Sequence, residues 1–573
     1  MSVRGLNLLV FRDGRCRVLA ADLRHALIEQ LQTVDGGSLD SRVALLLRAG
    51  ELECGVADVN SKCVLPFAEL TDCLAEVLLG GQPTNIQDTK EAVARTLLPE
   101  CVSVSRPEGF AYYALHPLAY AQVLKELPGL PKKIVVVGIR TIGATLSAVT
   151  AAGARLRGVD AVRFTVRPGG HPYNRHTEFS SEELQIIHRG ISCSAGFLIV
   201  DEGPGLSGSS FLSVAEALEA AGVAQGKIVL LPAHEPNAET LCSANAVERW
   251  RRYRRVAVSG DSYATVNASI FVGGGQWRSR LLLGESAWPA VWSSMERVKY
   301  LVPADDRQLR LFKFSGLGHY GDSVFKREQR AAAAGFAPIP RKEEHGFVSY
   351  PWLTGRPMSA NDLSAGVLAR MAAYCAYRKQ AFAIDLTDLL SLRQMAEHNL
   401  HELGFDLPVA LQLKHPVIAD GRMQPHEWIL TQEGQILKTD SGSHGDDHFY
   451  PGATDIAWDL AGAIVEWQMN ATESAEFLDV YRRASGDNAA ARIDGFIRAY
   501  AVFRFAYCMM AANAMQGTSE STRLEQAAAR YAALLNTDPR AAQQPAEEFA
   551  PTTLAPSYVS DISRPNVLSY QIK

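Results

Sequence analysis

The chain lacks long hydrophobic runs, closely spaced cysteine pairs and a strong excess of charge of either sign. No uncharged apolar stretch approaches the roughly 18 residues that a membrane helix needs, so we expect no membrane partner. The 57 basic and 62 acidic side chains leave a net charge of −5, which argues against a chain-wide surface for nucleic acid. The 9 cysteines form no C-x-x-C pair, and no signal-peptide pattern opens the chain. We therefore expect a cytoplasmic protein with reduced thiols.

What the chain does have is the composition of a globular protein, with 47% hydrophobic and 21% charged residues. Its 573 residues are long enough for about two to four domains. The Leu8–Phe11 segment has the pattern of a first strand. The changing periodicity predicts an N-terminal α+β block, an α/β domain, a larger domain of strands followed by helices, and an extended tail, with bounds 1–115, 116–260, 261–535 and 536–573.

The second segment alternates short apolar runs with helical patterns. Such alternation predicts a parallel sheet covered on both faces, in which ligands bind at the carboxyl ends of the strands. The strand-like runs 134–137 and 196–200 end in Gly138 and in the pair Asp201-Glu202. The loops after these two strands are therefore the first candidates for a site.

The loop that follows residues 196–200 combines two acids with small residues. Successive backbone N–H groups at a helix start favour an anion such as phosphate. The carboxylates would repel phosphate, but they suit ribose hydroxyls or a Mg²⁺ ion. The candidate residues are Asp201, Glu202, Ser207, Gly208, Ser209 and Ser210. An ordinary tight turn of an α/β sheet is the alternative.

Residues 105–260 resemble the type I phosphoribosyltransferases, whose loop has four hydrophobic residues, two acids and a Thr/Ser-Gly-x-Thr/Ser ending. One extra residue before Ser207 and a glutamate as the second acid depart from that pattern. The resemblance implies that phosphoribosyl diphosphate (PRPP) is the cosubstrate, that Asp201 and Glu202 are catalytic, and that pyrophosphate leaves. The pyrophosphate ligands that it implies are Arg140, Thr141, Arg167 and Arg175.

In the family that residues 105–260 resemble, a variable segment called the hood covers the accepting base. The N-terminal block is the candidate for this segment. The segment Pro107–Tyr113 ends in aromatic residues that either stack on a bound ring or belong to the core. The sequence does not identify the acceptor.

A lysine inside an apolar strand marks the second half of the chain. Lys313 lies in the run Leu309–Phe314, where it is either solvated or bound to phosphate. Residues 290–535 resemble the aminoglycoside-phosphotransferase and protein-kinase-like small-molecule kinases, with the run 346–355 similar to their hinge. The resemblance implies a bilobal α+β fold that uses ATP and Mg²⁺, with Lys313 and Glu328 at the nucleotide.

The catalytic segment of this half departs from the kinase pattern of His-Gly-Asp followed by Asn. Asp420 is two positions early but is the candidate base, while His426 or Glu427 stands where Asn is expected. The resemblance makes Asp440 a metal ligand, and the loop 444–448 adds Asp446 and Asp447 as further candidates. An acidic loop without metal is the alternative.

Together these patterns predict an enzyme with two activities on small-molecule substrates: phosphoribosyl transfer from PRPP and an ATP-dependent kinase-like reaction. The alternative is a regulator that binds PRPP and nucleotide without turnover. The basic run 248–255 predicts a solvated helix end more than a nucleic-acid surface, and a homodimer stays open.

Overall fold

The computed structural model describes residues 6–32, 37–59, 61–127, 129–205, 207–258, 269–304, 308–405, 408–445 and 447–536. The predicted tail lies outside this part of the chain except for its first residue, Asn536. None of the described helices combines the length and the apolarity needed to cross a bilayer.

The N-terminal block is a helical layer with one small antiparallel sheet. Its strands pair from Cys16 opposite Val104 to Leu19 opposite Cys101. The elements are β1 (Cys16–Leu19), α1 (Ala20–Leu31), α2 (Leu39–Val59), α3 (Leu65–Leu78), α4 (Ile86–Arg95) and β2 (Cys101–Val104). The prediction of a strand at Leu8–Phe11 was wrong: only Phe11 forms a bridge, with Phe449 of the second half. Leu8 and Val10 are buried in the core of that half, because their apolar side chains pack there.

The predicted parallel sheet is present in the second segment. Its strands are β3 (Lys133–Ile139), β4 (Asp160–Val166), β7 (Gly196–Val200), β8 (Ile228–Leu231) and β9 (Arg254–Arg255), and a separate hairpin forms from β5 (Gly169–His171) and β6 (Asn174–His176). The order across the sheet is β4-β3-β7-β8-β9, and all neighbours are parallel. The strand order reverses beside β3, so the crevice at the ends of β3 and β7 is the topological switch point, where α/β folds bind ligands.

Helices cover both faces of this sheet. The helices that contact its strands are α7 (Gly143–Arg155), α8 (Ser181–Ser192) and α9 (Ser209–Ala220), and the segment also contains α5 (Glu108–Ala111), α6 (Ala119–Gln122) and α10 (Ala246–Arg251). Helix α7 is buried on nearly every side because it lies between the sheet and α2 and α3 of the N-terminal block. Small residues permit this packing: a Cβ on Gly138 would lie 2.2 Å from the carbonyl oxygen of Gly143.

The second half begins with an antiparallel five-stranded sheet. The elements of this part are β10 (Ile270–Phe271), α11 (Arg278–Leu281), β11 (Lys299–Pro303), β12 (Leu309–Phe314), α12 (Gly318–Ala333), β13 (Arg341–Lys342) and β14 (Phe347–Pro351). The strands lie in the order β10-β11-β12-β14-β13, and helix α12 connects β12 to β13.

The remainder of this half is a helical lobe with two small sheets. The helices are α13 (Ala365–Ala381), α14 (Leu390–Glu402), α15 (Ala457–Glu466), α16 (Ala471–Ser485), α17 (Ile493–Ala514) and α18 (Ser519–Asn536). The strands are β15 (Gly355–Pro357), β16 (Pro416–Ile418), β17 (Trp428–Thr431), β18 (Ile436–Lys438) and β19 (Ala453–Asp455). Helix α16 starts at a reciprocal cap between Asn470 and Glu473, which satisfies two otherwise unpaired N–H groups. The segment between β14 and β15 connects the antiparallel sheet to the helical lobe, so a cleft forms between them.

Candidate functional site

A cavity of about 180 Å³ lies in the cleft between the antiparallel sheet and the helical lobe. Strands β11 and β14 line one side of it, and the loops after β16 and β18 line the other. Residues far apart in the chain meet here, from Tyr112 to Tyr507.

Lys313 of β12 reaches Asp440 across the cleft. Its Nζ donates to Asp440 Oδ1 over 2.7 Å and to Ser443 Oγ over 2.7 Å, and its side chain is only 1% exposed. Lys299 Nζ of β11 lies 3.4 Å from the other oxygen of the same carboxylate. Burial alone would raise the pKa of Asp440, but the two ammonium groups hold it well below its usual range. Burial lowers the pKa of Lys313. The cleft therefore contains a carboxylate that stays ionised.

Glu328 lies on α12, close to the same lysine but bonded elsewhere. The Tyr350 hydroxyl donates to its carboxylate, and Oε1 has no hydrogen-bond partner in the part of the chain that the structure describes. Burial raises its pKa, and the charge of Lys313 opposes this. A Cβ on Gly442 would lie 2.4 Å from Glu328 Cγ, so glycine is needed for the loop to approach the helix. Lys313 and Glu328 are thus brought together without a direct hydrogen bond.

Three side chains form a group that could hold a metal ion. Ligand atoms of Glu427, Asp440 and His444 all lie within 4.8 Å of one another. Burial lowers the pKa of His444 well below its usual value, so its imidazole is neutral and able to ligate. Of the predicted metal ligands, Asp440 is in the group and Asp447 lines the cavity outside it, whereas Asp446 lies outside the described residues.

Asp420, the predicted base, is buried beneath the cavity and does not line it. Its side chain accepts from the Tyr374 hydroxyl over 2.5 Å, and Lys438 Nζ lies 3.4 Å from its other oxygen. Its backbone N–H donates to Asp459, which also receives the N–H of Gly421. These contacts fix the loop after β16.

Part of the cavity wall is aromatic. Trp292 and Tyr507 have ring centroids 5.3 Å apart, and Phe449 lies 5.1 Å from Tyr507. The Tyr112 ring, beneath the Arg297 guanidinium at 5.1 Å, completes this wall. No local motif predicts this wall, because its members come from both halves of the chain.

The predicted phosphate loop lies at the switch point of the parallel sheet. The hydroxyls of Ser207 and Ser209 are buried and donate to the carbonyl of Pro172 over 2.9 and 2.5 Å. Gly208 has a φ of 68°, in the left-handed region that favours glycine, and Ser210 lies in the first turn of α9. The tip of the β5–β6 hairpin therefore covers these serines.

The two acidic residues before this loop contact the chain's first third, Asp201 through its backbone and Glu202 through its side chain. The hydroxyl of Tyr120 donates to the Asp201 carbonyl over 2.6 Å, and Glu202 Oε2 accepts from the N–H of Gly109 over 2.5 Å. Helix α5, which carries Gly109, also binds the second half, since the carbonyl of Phe110 accepts from the N–H of Leu317 over 2.9 Å. One short helix thus contacts both the switch-point loop and the second half of the chain.

The predicted pyrophosphate ligands lie beside the switch point, and most are paired within the protein. Arg140 Nε and Arg167 Nη2 lie 3.0 and 2.5 Å from the carboxylate of Asp58 on α2. Arg167 also donates to Thr141 Oγ1 over 3.2 Å, and the Arg140–Thr141 peptide is cis. Arg175 donates to the Pro168 carbonyl over 3.1 Å, within its own hairpin.

The basic run 248–255 is tied to acidic residues. Arg249 and Arg252 pair with acids of α9, at 2.6 Å to Glu216 and 2.7 Å to Glu219. The Trp250 ring between them is fully buried. These contacts hold α10 against α9.

No family model and no curated protein matches the chain. Among solved structures, it is similar to a choline/ethanolamine kinase family protein from Mesorhizobium loti, with 16% identity over 43% of this chain and 87% of that one and a TM-score of 0.32. A choline kinase from Streptococcus pneumoniae has 13% identity, coverage of 41% and 90%, and a TM-score of 0.29. A macrolide 2′-phosphotransferase from Brachybacterium faecium has 15% identity, coverage of 48% and 98%, and a TM-score of 0.29. Each of these similarities covers less than half of this chain.

Proposed function

We propose that the second half of the chain binds a nucleoside triphosphate with a divalent metal ion and transfers the terminal phosphoryl group to a small-molecule hydroxyl. The observation that carries the proposal is the meeting of Lys313 and Asp440 from the two sides of the cleft, beside further ligand atoms. A buried ammonium at an ionised carboxylate is the arrangement that phosphoryl transfer needs to hold phosphate and metal together.

The donor atoms at this site fit a divalent cation. Glu427 and Asp440 offer carboxylate oxygens and His444 a neutral ring nitrogen, a set that suits Mg²⁺ through its oxygens and equally admits Mn²⁺. Such an ion neutralises charge on the phosphates when it is bound. Lys299 and Lys313 would bind phosphate oxygens, and their charges would stabilise the transferring group.

Asp447 is the candidate base of the reaction. It lines the cavity, and burial raises its pKa to about 6, so it is ionised at neutral pH yet able to accept a proton. The acceptor hydroxyl gives its proton to Asp447 as its oxygen forms the new bond to the terminal phosphorus. The bond from that phosphorus to the bridging oxygen breaks, and the nucleoside diphosphate leaves.

The test is Mg²⁺-dependent ATP binding by calorimetry, followed by a panel of hydroxyl compounds with detection of ADP and phosphorylated product. We expect binding to require the metal and to be lost in Lys313→Met, whereas the exposed control Lys326→Met binds normally. ATP binding without any product would favour the non-catalytic regulator. Absence of metal-dependent binding would refute the assignment.

A second candidate function is phosphoribosyl transfer at the switch point. It is favoured by the adjacency of the loops after β3 and β7, which places Arg140 and Thr141 beside Asp201 and Glu202 at the ends of neighbouring strands. In this reaction the bond from the anomeric carbon to pyrophosphate breaks, and a bond to a nitrogen of the accepting base forms. Asp201 and Glu202 would hold the ribose hydroxyls, and Ser210 and the N–H groups near it would bind the 5-phosphate.

Incubation with PRPP, Mg²⁺ and a panel of bases, with detection of pyrophosphate, tests this second activity. We expect release in the wild type and none in the Asp201→Asn/Glu202→Gln variant. Asp160→Asn, at the opposite end of the sheet, is the matched control. PRPP binding without release indicates a regulator, and release that survives the double substitution would overturn the assignment.

A further inference from the structure

One cation of the cavity stands apart from the others. Four of the cationic side chains that line it have partners, at Ala111 O for Arg297, Glu296 for Lys299, Glu427 for Lys438 and Glu466 for Arg504. Among the described residues, the guanidinium of Arg422 makes no ion pair and no hydrogen bond.

Arg422 is nevertheless well inside the protein. It lines the cavity in the loop after β16, where Glu427 and Asp447 are the nearby acidic groups that act on its charge most. The loop itself is fixed, because the N–H groups of Asp420 and Gly421 both donate to Asp459. An arginine held in a cavity without a partner is a ready donor for a carboxylate or a phosphate, which its planar fork binds in bidentate fashion.

The surroundings of Arg422 indicate what carries the anion. Tyr507 belongs to the aromatic wall that also contains Trp292 and Phe449, so a ring can pack beside the guanidinium. Trp292 Nε1 is buried and has no hydrogen-bond partner in the described part of the chain. No ion pair joins Asp447 and Arg422, so the Asp447 carboxylate oxygens lie more than 4 Å from the Arg422 guanidinium nitrogens. This distance leaves room between the candidate base and the guanidinium.

We propose that the acceptor of this cleft is an aromatic or heterocyclic hydroxyl compound that carries an anionic group, and that Arg422 binds this group. The proposal rests on the phosphotransferase function above for the fate of the hydroxyl, but not for the binding itself. The bound anionic group sets the orientation of the acceptor and directs the acceptor's hydroxyl towards Asp447. Arg422 therefore determines the substrate specificity.

The experiment compares probes that share a ring and differ in charge: benzyl alcohol, phenylacetate, phenyl phosphate and benzyltrimethylammonium. Affinities for the full-length protein are measured by calorimetry, with and without Mg²⁺ and a non-hydrolysable ATP analogue. We expect at least one anionic probe to bind about ten- to a hundredfold more tightly than benzyl alcohol, as a charge-assisted hydrogen bond provides. The phenylacetate and phenyl phosphate arms distinguish a carboxylate from a phosphate.

Arg422→Met should abolish this preference and Arg422→Lys should retain part of it, while the exposed control Arg251→Met retains all of it. Binding of the ATP analogue should stay within about twofold of the wild type in each variant, which also shows that the variants are folded. A preference for the cationic probe, or an anion preference that survives in Arg422→Met, would overturn the proposal. If the wild type does not bind the ATP analogue but shows an anion preference that depends on Arg422, the phosphotransferase function alone would be refuted.

Discussion

Lys313 and Asp440, 127 residues apart, are joined by a 2.7 Å hydrogen bond that connects the antiparallel sheet to the loop after β18. The same carboxylate belongs to the group that could hold a metal ion. Asp440 therefore links the lysine of one side of the cleft to the candidate metal ligands of the other.

We expect Asp440→Asn to weaken Mg²⁺-dependent ATP binding at least about tenfold, because it removes a metal ligand and leaves two ammonium groups without their shared carboxylate. Calorimetry at several Mg²⁺ concentrations measures the effect. Asp385→Asn, at an exposed position, is the control and should bind as the wild type does. Unchanged metal dependence in Asp440→Asn would contradict the assignment of the site.

Asp447 makes the proposed kinase activity depend on pH. Because burial raises its pKa to about 6, activity should rise about tenfold per pH unit below 6 and level off above it. Asp447→Asn should lose activity by about a hundredfold or more and show no such rise. Burial also raises the pKa of Asp459 to about 6, so a rise that persists in Asp447→Asn would assign the pH dependence to another group.

Asp447 should also affect stability, with the opposite trend in pH. Its folded-state pKa exceeds the unfolded value of about 3.9, so the folded protein binds more protons between these values. The contribution of this group is therefore full below pH 4 and is lost as the pH rises through 6. Urea unfolding across this range should show a smaller decline in Asp447→Asn than in the wild type. An identical decline would mean that this carboxyl is not buried in solution.

A buried ion pair holds the N-terminal block against the parallel sheet. Arg163 of β4 lies 2.7 Å from Glu53 of α2 and 2.6 Å from Asp72 of α3, and the Arg163 and Glu53 side chains are 3% and 2% exposed. Glu53→Gln leaves the guanidinium with one carboxylate and should cost about 3 kcal/mol of unfolding free energy. Chemical denaturation measures it, with Glu91→Gln, an exposed partner of Arg95, as the control. A loss below about 0.5 kcal/mol would show that the block does not dock as described.

The close approach of β3 and α7 gives a second stability test. Gly138→Ala places a Cβ 2.2 Å from the Gly143 carbonyl oxygen, and backbone cannot move aside as a flexible side chain would. We expect a loss of about 3 kcal/mol, whereas Gly226→Ala, which meets no atom within 4 Å, should change stability by less than about 0.5 kcal/mol. Equal melting temperatures for the two variants would contradict the packing.

Local patterns were sufficient for several parts of this protein. The β-branched run at 134–137 predicted a buried parallel strand, and Lys313 stood out because a charged residue interrupts an apolar run. The acids Asp201 and Glu202 likewise identify the switch-point loop, because they follow directly on the apolar run 196–200. In each of these cases the signal lies within about ten neighbouring residues.

Other features depend on contacts that no local pattern encodes. The N–H of Asn7 donates to Glu402, 395 residues away. The segment around Asn7 therefore packs on the helical lobe of the second half, far from it in sequence. The sequence pattern presents Glu427 only as a substitute for asparagine and gives no signal at Arg422, because their positions at the cavity follow from the residues that surround it.

The sequence alone determined where most of the buried strands and helices of the parallel sheet form and which loops carry acids and small residues, since these follow from hydrophobic periodicity and backbone preference. The tertiary structure decided which of those groups meet: that Asp420 is buried and Asp447 exposed to the cavity, and that Tyr112 faces the second half. Packing decides this, because a side chain's partners depend on which distant surfaces the core brings within a few ångströms.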